Sequence, residues 1–349
     1  MLDAPAAPTV SAGSTVGRRR LTTMERYLAI MIVAYVAIVA IRNPLFLSLQ
    51  TLFDMVLNGS GTLILALGVL VVLVSGGIDV SFTAIAIVAG YTSVRLSLAT
   101  GTDNLAVLIA VAVVLGLLLG AVNGLIVHFF QLPTLIVTLG TSSVFFGAMA
   151  TTLGTTSLSV SQMPQSMVDF GSANLFTVHQ GSTQYGLTVF TPIVVGLVAL
   201  TWALLYRTML GRQVFAVGSN PESAARIGID LFRIRLFAYS YSGLLSGLVG
   251  IIYFSGLKFI NPTSLVGTEL LVIAAVVIGG AKLSGGEGTI LGAVLGVVMV
   301  QLLKQTLVFL GLDSSYNNLF FGGLLVASFS VMYYQQRQAN RKALIFDVR

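Results

Sequence analysis

The chain has 349 residues, of which 56% are hydrophobic and 9% are charged, whereas about 25% of the residues in a soluble domain are charged. It contains no cysteine, which excludes disulfides and thiolate metal sites. Its formal net charge of +6 comes from Lys and Arg residues that lie between apolar runs, so the composition indicates a multi-pass membrane protein without a nucleic-acid partner.

Apolar runs long enough to cross a bilayer recur along the chain and predict ten transmembrane helices. The predicted spans lie near residues 26–41, 52–74, 80–98, 105–130, 133–153, 188–206, 234–255, 265–280, 289–311 and 317–334. We therefore predict an all-α membrane protein with one transmembrane domain over residues 23–335. Residues 1–22 are predicted to be a disordered cytoplasmic tail, and residues 336–349 a second cytoplasmic tail.

The basic residues predict the orientation of these spans. With the amino terminus inside and ten crossings, fourteen of the 18 Lys and Arg residues fall on the cytoplasmic side, as the positive-inside rule expects. Both termini are then cytoplasmic. The fourteen are Arg18, Arg19, Arg20, Arg26, Arg207, Arg212, Arg226, Arg233, Arg235, Lys282, Arg337, Arg341, Lys342 and Arg349.

Polar residues inside the predicted spans are the candidates for a solute path. A charge at mid-membrane costs about 2.5–3.5 kcal/mol on insertion scales, so it usually faces a cavity or a partner. The motif GGIDVS predicts a helix break, where Asp79 either caps the next helix or lines the path. Asn123 in the fourth span either bonds a neighbouring helix or lines the same path. The candidate path residues are Asp79, Ser81, Asn123, Gln301 and Lys304.

Glycines at four-residue spacing predict close helix packing. They occur at Gly116, Gly120 and Gly124, and again at residues 288–296, and such spacing lets membrane helices approach closely. The stretch SGGEGTILG superficially resembles a dinucleotide loop, but no strand precedes it. No G-x-x-x-x-G-K-[ST] motif is present either, so nucleotide binding is assigned to another chain.

Two predicted connections are long enough to carry a function, an outer loop at 154–187 and a cytoplasmic loop at 207–233. The second contains the polar stretch GSNPESAARIGID, which predicts a helix of about two turns. Asn220 is an N-cap with Pro221 at the first helical position, unless Ser219 caps the helix instead. So short a helix is marginal alone in water. It is therefore either a solvated connector or a docking site for a soluble partner.

Four stretches carry a resemblance to a known family. They are NPLFLSLQTLFDMVLNGSGTLILALGVLVVLVSGGIDVS, GLLLGAVNGLIVHFFQLPTLIVTLGT, GRQVFAVGSNPESAARIGIDLFRIRLFAYSYSGLLSGLVGIIY and IGGAKLSGGEGTILGAVLG. In this order they resemble the permease subunits of ATP-binding-cassette sugar importers of the ribose/galactose type, over roughly residues 27–335. Phe82 and Thr83 depart from the Val-Gly pair that many of those permeases carry after this glycine motif, which puts the local backbone and the fit to substrate in doubt.

The resemblance implies a type II importer-like bundle in a bacterial inner membrane, with membrane lipid around it. It also implies a second permease subunit, identical or paralogous, and a separate ATPase subunit that hydrolyses ATP. A periplasmic or lipid-anchored binding protein would deliver the solute. This chain would bind no cofactor or metal and would not be an enzyme. The residues implied to contact the ATPase are Ser219, Asn220, Pro221, Glu222, Ala225, Arg226 and Gly228.

The implied cargo is a monosaccharide or a related small polar solute, although related permeases carry nucleosides or branched-chain amino acids. An ion-coupled secondary transporter is the alternative class, and it would normally need buried acidic groups for ion coupling. An intramembrane hydrolase would need a Ser–His pair or a metal site in the bilayer. The chain has two histidines, His128 and His179, which makes that class remote.

Overall fold

The computed structural model describes residues 23–180 and 183–309, together with Tyr316, Leu319, Gly322, Gly323, Val326 and Ser330. In this part of the chain the regular structure is helical apart from one two-stranded hairpin. The helices are α1 (Thr23–Arg42), α2 (Leu49–Val74), α3 (Phe82–Thr100), α4 (Leu105–Phe130), α5 (Thr134–Leu153), α6 (Gln165–Ser172), α7 (Phe190–Arg207), α8 (Met209–Ser219), α9 (Pro221–Arg226), α10 (Leu231–Leu257), α11 (Glu269–Ile278) and α12 (Ile290–Phe309), and the strands are β1 (Asn174–Gln180) and β2 (Thr183–Thr188).

Seven of the described helices are long and apolar enough to cross a membrane, namely α1 to α5, α7 and α10. They confirm the prediction of a helical multi-pass membrane protein. Helix α11 is apolar but has ten residues, or about 15 Å, half the thickness of a bilayer core. The tails 1–22 and 336–349 lie outside the described residues, as does most of the predicted span 317–334, so the ten-helix count stays a prediction.

The predicted outer loop at 154–187 contains regular structure that the sequence did not reveal. Helix α6 is followed by strands β1 and β2, which pair antiparallel with Thr177 opposite Gly186. The backbone N–H groups of Gln165 and Ser166 donate to the Asp103 carboxylate, at 2.9 and 3.1 Å, and so anchor the start of α6. Hydrogen bonding from Ser166 and then Gln165 holds the pKa of Asp103 below its ordinary value.

The connections between helices gather at two ends of the bundle. One end, called the basic end below, contains segments 75–81, 131–133, 208–230 and 279–289. There Thr289 Oγ1 donates to Glu25 Oε1 at 2.6 Å, and the Gly286 N–H donates to the Val74 carbonyl at 3.0 Å.

The opposite end, called the hairpin end, contains segments 43–48, 101–104, 154–189 and 258–268. There the Leu158 N–H donates to the Ile260 carbonyl at 2.9 Å. The ring of Phe53, near the start of α2, packs edge-on against Phe176 of the hairpin, with centroids 5.7 Å apart.

Helices α4 and α10 pack backbone against backbone at the centre of the bundle. A methyl group at Gly116 would overlap the Gly243 carbonyl oxygen, and one at Gly120 would overlap the Tyr239 carbonyl oxygen. Glycine permits this approach because it has no Cβ. The predicted role of the four-residue glycine spacing is therefore confirmed for α4.

We expect Gly120→Ala to lower the melting temperature of the purified protein, because the added methyl must push α10 away. Overpacking of this kind costs about 1–3 kcal/mol. Gly140→Ala in α5 is the matched control, since Gly140 is also helical but nothing lies within 4 Å of an added Cβ. Thermal unfolding in detergent measures both variants, and equal melting temperatures would contradict the close packing of α4 and α10.

Candidate functional site

A buried polar cluster, formed by Asp79, Ser81, Asn123 and Ser242, joins the break after α2 to two helices. Asp79 Oδ1 accepts hydrogen bonds from the Ser81 N–H and Oγ, at 2.8 and 2.6 Å. Asp79 Oδ2 accepts a hydrogen bond from Ser242 Oγ of α10 at 3.1 Å. Asn123 Nδ2 of α4 donates to Ser81 Oγ at 2.6 Å. The cluster therefore ties the segment between α2 and α3 to α4 and α10.

The polar cluster is closed to solvent in this conformation. Asp79 is 2% exposed and Asn123 is fully buried, and none of the four side chains lines the cavities that lie toward the two ends of the bundle. Asp79 accepts the N–H of Ser81, the residue at the N-cap of α3, so it does not itself cap that helix. Asn123 of α4 bonds Ser81 at the N-cap of the neighbouring α3, which agrees with the predicted bond to a neighbouring helix.

A cavity of about 300 Å³ lies in the half of the bundle nearer the hairpin end, between α2, α10, α11 and α12. We call it the hairpin-end cavity. Gln301 Nε2 donates to Thr62 Oγ1 at 3.0 Å and to the Asn58 carbonyl at 3.3 Å. The wall of the hairpin-end cavity carries amide, hydroxyl and ammonium groups, which come from Asn58, Thr62, Tyr253, Thr268, Gln301, Lys304 and Gln305.

The structure thus divides the predicted path residues into two groups. Gln301 and Lys304 lie together on the wall of the hairpin-end cavity, with Gln305 beside them as the helical spacing predicts. Asp79, Ser81 and Asn123 belong to the polar cluster. Asn58 and Thr62 were missed, although their four-residue spacing within the apolar α2 places two polar side chains on one helix face.

The segment 219–228, which we call the coupling segment, contains the predicted short helix as α9. Asn220 is its N-cap, because Asn220 Oδ1 accepts the Ser223 N–H at 2.9 Å and Pro221 takes the first helical position. Ser219 instead ends α8, where its Oγ donates to the Phe215 carbonyl at 2.9 Å. Gly228, with φ of +85°, follows the helix. The capping-box alternative is not formed.

Most of the coupling segment is available to a partner. Ala224 is buried, at 3% exposure, and it anchors α9 to the bundle. All seven residues predicted to contact the ATPase are exposed at the basic end. They are Ser219, Asn220, Pro221, Glu222, Ala225, Arg226 and Gly228.

The end of α8, directly before the coupling segment, packs on the break after α2. A methyl group at Gly218 would overlap the Val74 carbonyl oxygen, and one at Gly285 would lie 2.6 Å from the Gly76 Cα. Backbone therefore touches backbone where α8, the end of α2 and the 279–289 loop meet. Because α9 follows Gly218 closely in the chain, this contact brings the start of α9 near the segment that carries Asp79.

We expect Asp79→Ala to destabilise the protein, because it leaves three hydrogen-bond donors of Ser81 and Ser242 without their acceptor. Each buried unsatisfied donor costs about 1–3 kcal/mol. Asp169→Ala is the control, since Asp169 is exposed and accepts a hydrogen bond from Gln165 within α6. Thermal unfolding in detergent measures the difference. If Asp79→Ala unfolds like the parent yet loses transport, the cluster serves the solute path and not packing.

The chain matches the family described as branched-chain amino acid transport system / permease component over residues 51–329. It is 33% identical over 305 residues to the ribose import permease protein of Escherichia coli (strain K12). The aligned region covers 86% of this chain and 92% of that relative. The chain is 31% identical over 317 residues to the autoinducer 2 import system permease protein of Enterobacter sp. (strain 638), covering 90% and 88%.

A further relative is the autoinducer 2 import system permease protein of Yersinia pestis (strain Pestoides F), 32% identical over 292 residues that cover 83% of this chain and 79% of the relative. No solved structure matches the chain. The family match extends from the start of α2 through the coupling segment and α12. The chain therefore belongs to the branched-chain amino acid transport system permease family.

Proposed function

We propose that this chain is the membrane-spanning permease subunit of an ATP-binding-cassette importer for a monosaccharide or a closely related hydroxylated solute. The observation that carries the proposal is the similarity, along more than four-fifths of the chain, to permeases named for the import of ribose and of autoinducer 2. The proposed energy source is ATP hydrolysis by a separate ATPase subunit, with no cofactor bound by this chain.

The hairpin-end cavity supports a hydroxylated cargo. Sugar hydroxyls both donate and accept hydrogen bonds, as do the amide and hydroxyl groups of Gln301, Gln305 and Thr62. Its volume, about 300 Å³, lies in the range of small-molecule sites. A branched-chain amino acid or a nucleoside is the alternative cargo within the same importer class.

In the proposed arrangement, ten helices span a bacterial inner membrane and both termini are cytoplasmic. The basic end then faces the cytoplasm, because it carries the exposed Arg212, Arg226 and Arg233. The coupling segment would seat in a groove of the ATPase. The hairpin end would receive the solute from a periplasmic or lipid-anchored binding protein, and a second permease subunit would complete the path.

An ion-coupled transporter is the rival class, and the contacts of Asp79 weigh against it. Asp79 carries a deeply buried carboxylate, and both of its oxygens accept hydrogen bonds from Ser81 and Ser242. An ion would have to displace these donors. No observation on this carboxylate favours ion coupling over the importer.

We expect Lys304→Met to slow solute uptake roughly 10- to 100-fold, because a hydrogen bond to a charged group contributes about 1.5–3 kcal/mol. Met keeps the length of the side chain. Lys258→Met is the matched control, since Lys258 is exposed at the hairpin end and lies outside the hairpin-end cavity. Uptake of radiolabelled monosaccharide by the reconstituted complex measures both. An unchanged rate for Lys304→Met would remove Lys304 from the path.

Ala225→Pro should uncouple ATP hydrolysis from uptake while the protein remains in the membrane. Proline in the last turn of α9 removes an N–H and clashes with the preceding turn, at a cost of about 3 kcal/mol or more. The apolar spans, which support membrane insertion, are untouched. Ala225→Ser is the control at the same exposed position.

Two measurements decide this prediction: co-purification of the ATPase subunit, and the ratio of ATP hydrolysed to solute imported. Ala225→Pro should abolish co-purification of the ATPase or raise the ratio of ATP hydrolysed to solute imported. Ala225→Ser should resemble the parent in both measurements. If Ala225→Pro retains both ATPase binding and full uptake, the coupling segment is only a connector.

A further inference from the structure

Glu269 carries a carboxylate deep inside the bundle. It is the first residue of α11, which has ten residues and ends at the basic end, so Glu269 lies about 15 Å from that end. Thr83 Oγ1, near the start of α3, donates to Glu269 Oε1 at 2.6 Å. From Thr83 to Thr100, the last residue of α3 at the hairpin end, the helix is about 25 Å long. Both helices therefore place this carboxylate between the two ends of the bundle.

One oxygen of this carboxylate is held and the other is open. Thr83 is 1% exposed, whereas Glu269 is half-buried. Among the described residues, the bond from Thr83 is the hydrogen bond that Glu269 accepts, and Oε2 receives none. The salt bridges of the described part of the chain lie at the basic end, so none of them neutralises Glu269. Val266 and Leu270, on either side of Glu269, are each 60% exposed.

The depth of Glu269 limits what its open oxygen can face. Charged side chains within membrane segments almost always face the bundle interior, a partner or a water-filled cavity. An identical second subunit offers no cation from α11, which has no basic residue. The basic residue of α3 is Arg95, about 18 Å along the helix from Thr83. The open oxygen is therefore available to a solute.

We propose that Glu269 contacts the solute midway along the path, where its carboxylate accepts hydrogen bonds from hydroxyl groups, and that Thr83 is the positioning residue that orients this carboxylate. The inference rests on the proposed function and adds a contact beyond the wall of the hairpin-end cavity. Thr268, Leu271 and Val272 line that cavity. Because they are close neighbours of Glu269 in the chain, the carboxylate lies beside the cavity.

The chemistry of the pair favours a neutral polyhydroxylated solute. An ionised carboxylate only accepts hydrogen bonds, and such charge-assisted bonds are stronger than neutral ones. Thr83 donates to one oxygen and leaves the other for solute hydroxyls. A sugar acid or a sugar phosphate would bring a second negative charge to the same place. Thr83 also departs from the Val-Gly pair noted in the sequence, and a glycine there would have no hydroxyl to donate.

Cysteine labelling tests whether residue 269 faces water. The chain has no cysteine, so Glu269→Cys places one thiol there in the complete complex with its ATPase subunits. Leu200→Cys is the control, because Leu200 is apolar and 49% exposed in the middle of α7. During ATP turnover, a small cationic methanethiosulfonate should label residue 269 about tenfold faster than residue 200, since the reactive thiolate forms in water. Saturating ribose should slow labelling of residue 269 several-fold.

Uptake kinetics test the assigned contacts. Glu269→Gln removes the charge, and Thr83→Val removes only the hydroxyl. Each should lower the maximal rate of monosaccharide uptake about three- to tenfold. The concentration of loaded binding protein that gives half-maximal uptake should stay parental, because the binding protein docks at the hairpin end. Thr83→Ser keeps the hydroxyl and should retain the rate. Thr141→Val is the matched control, since the buried Thr141 hydroxyl bonds the Thr138 carbonyl within its own helix.

The outcomes separate this contact from other roles of the pair. Labelling at residue 269 that is no faster than at residue 200, or parental uptake by Glu269→Gln, would overturn the contact. Parental uptake by Thr83→Val would overturn the positioning role. Loss of assembly, or an equal loss of rate and of apparent affinity for the binding protein, would make the pair structural and overturn both.

Two further outcomes concern the class of transporter. Uptake that follows a proton gradient without ATP, and that is lost in Glu269→Gln, would make Glu269 a proton carrier and overturn the solute contact. Fast labelling of residue 269 in a parent complex that imports no monosaccharide would retain its position in the path and contradict the proposed function.

Discussion

Direct backbone contact between glycines is the constraint on which the remaining features depend. Gly218 at the end of α8 lies against Val74 and Gly76, and Gly285 lies against both Gly218 and Gly76. No side chain separates these segments, so the end of α8, which leads into the coupling segment, packs directly on the break after α2. Three residues beyond Gly76, Asp79 bonds Ser242 and holds the break to α10. If an ATPase acts on α9, as proposed, these contacts connect the site of its action to the centre of the bundle.

A second cavity, of about 610 Å³ at the basic end, shares no lining residue with the hairpin-end cavity. Along α10, Tyr239 lines this second cavity, Ser242 belongs to the cluster and Val249 lines the hairpin-end cavity. The ten residues from Tyr239 to Val249 correspond to about 15 Å of helix. In this conformation the polar cluster lies between the residues of α10 that line the two cavities. Alternating access would require α10 and the break to separate where Asp79 and Ser242 now meet.

Local signals in the sequence were sufficient for much of the fold. Helix α4 has the predicted bounds, because Asn104 caps its start and Gln131 leaves it in a left-handed conformation. The cap at Asn220 follows from Asn-Pro in the same way. Helix α8 was missed because Gly211 and Gln213 interrupt its short apolar pattern. The hairpin was missed because apolar and polar residues alternate only weakly along its two strands.

The candidate site could not be predicted in full, because it is formed by contacts between residues that lie far apart in the sequence. Asp79 and Ser242 are 163 positions apart, and Gln301 meets Thr62 across 239 positions. Sequence reasoning identified Gln301 and Lys304 as candidate path residues but could not identify the face of α2 opposite them. It likewise could not separate a buried cluster from a cavity wall, because both use the same polar residue types inside apolar helices.

The central claim is that ATP hydrolysis by a partner moves a sugar through this chain. The most direct measurement is monosaccharide uptake by the reconstituted complex with its binding protein, with ATP supplied on the side of the basic end and no ion gradient. The account predicts uptake that requires ATP and binding protein together and is insensitive to ionophores. Uptake that proceeds without ATP and follows a proton or sodium gradient would contradict it.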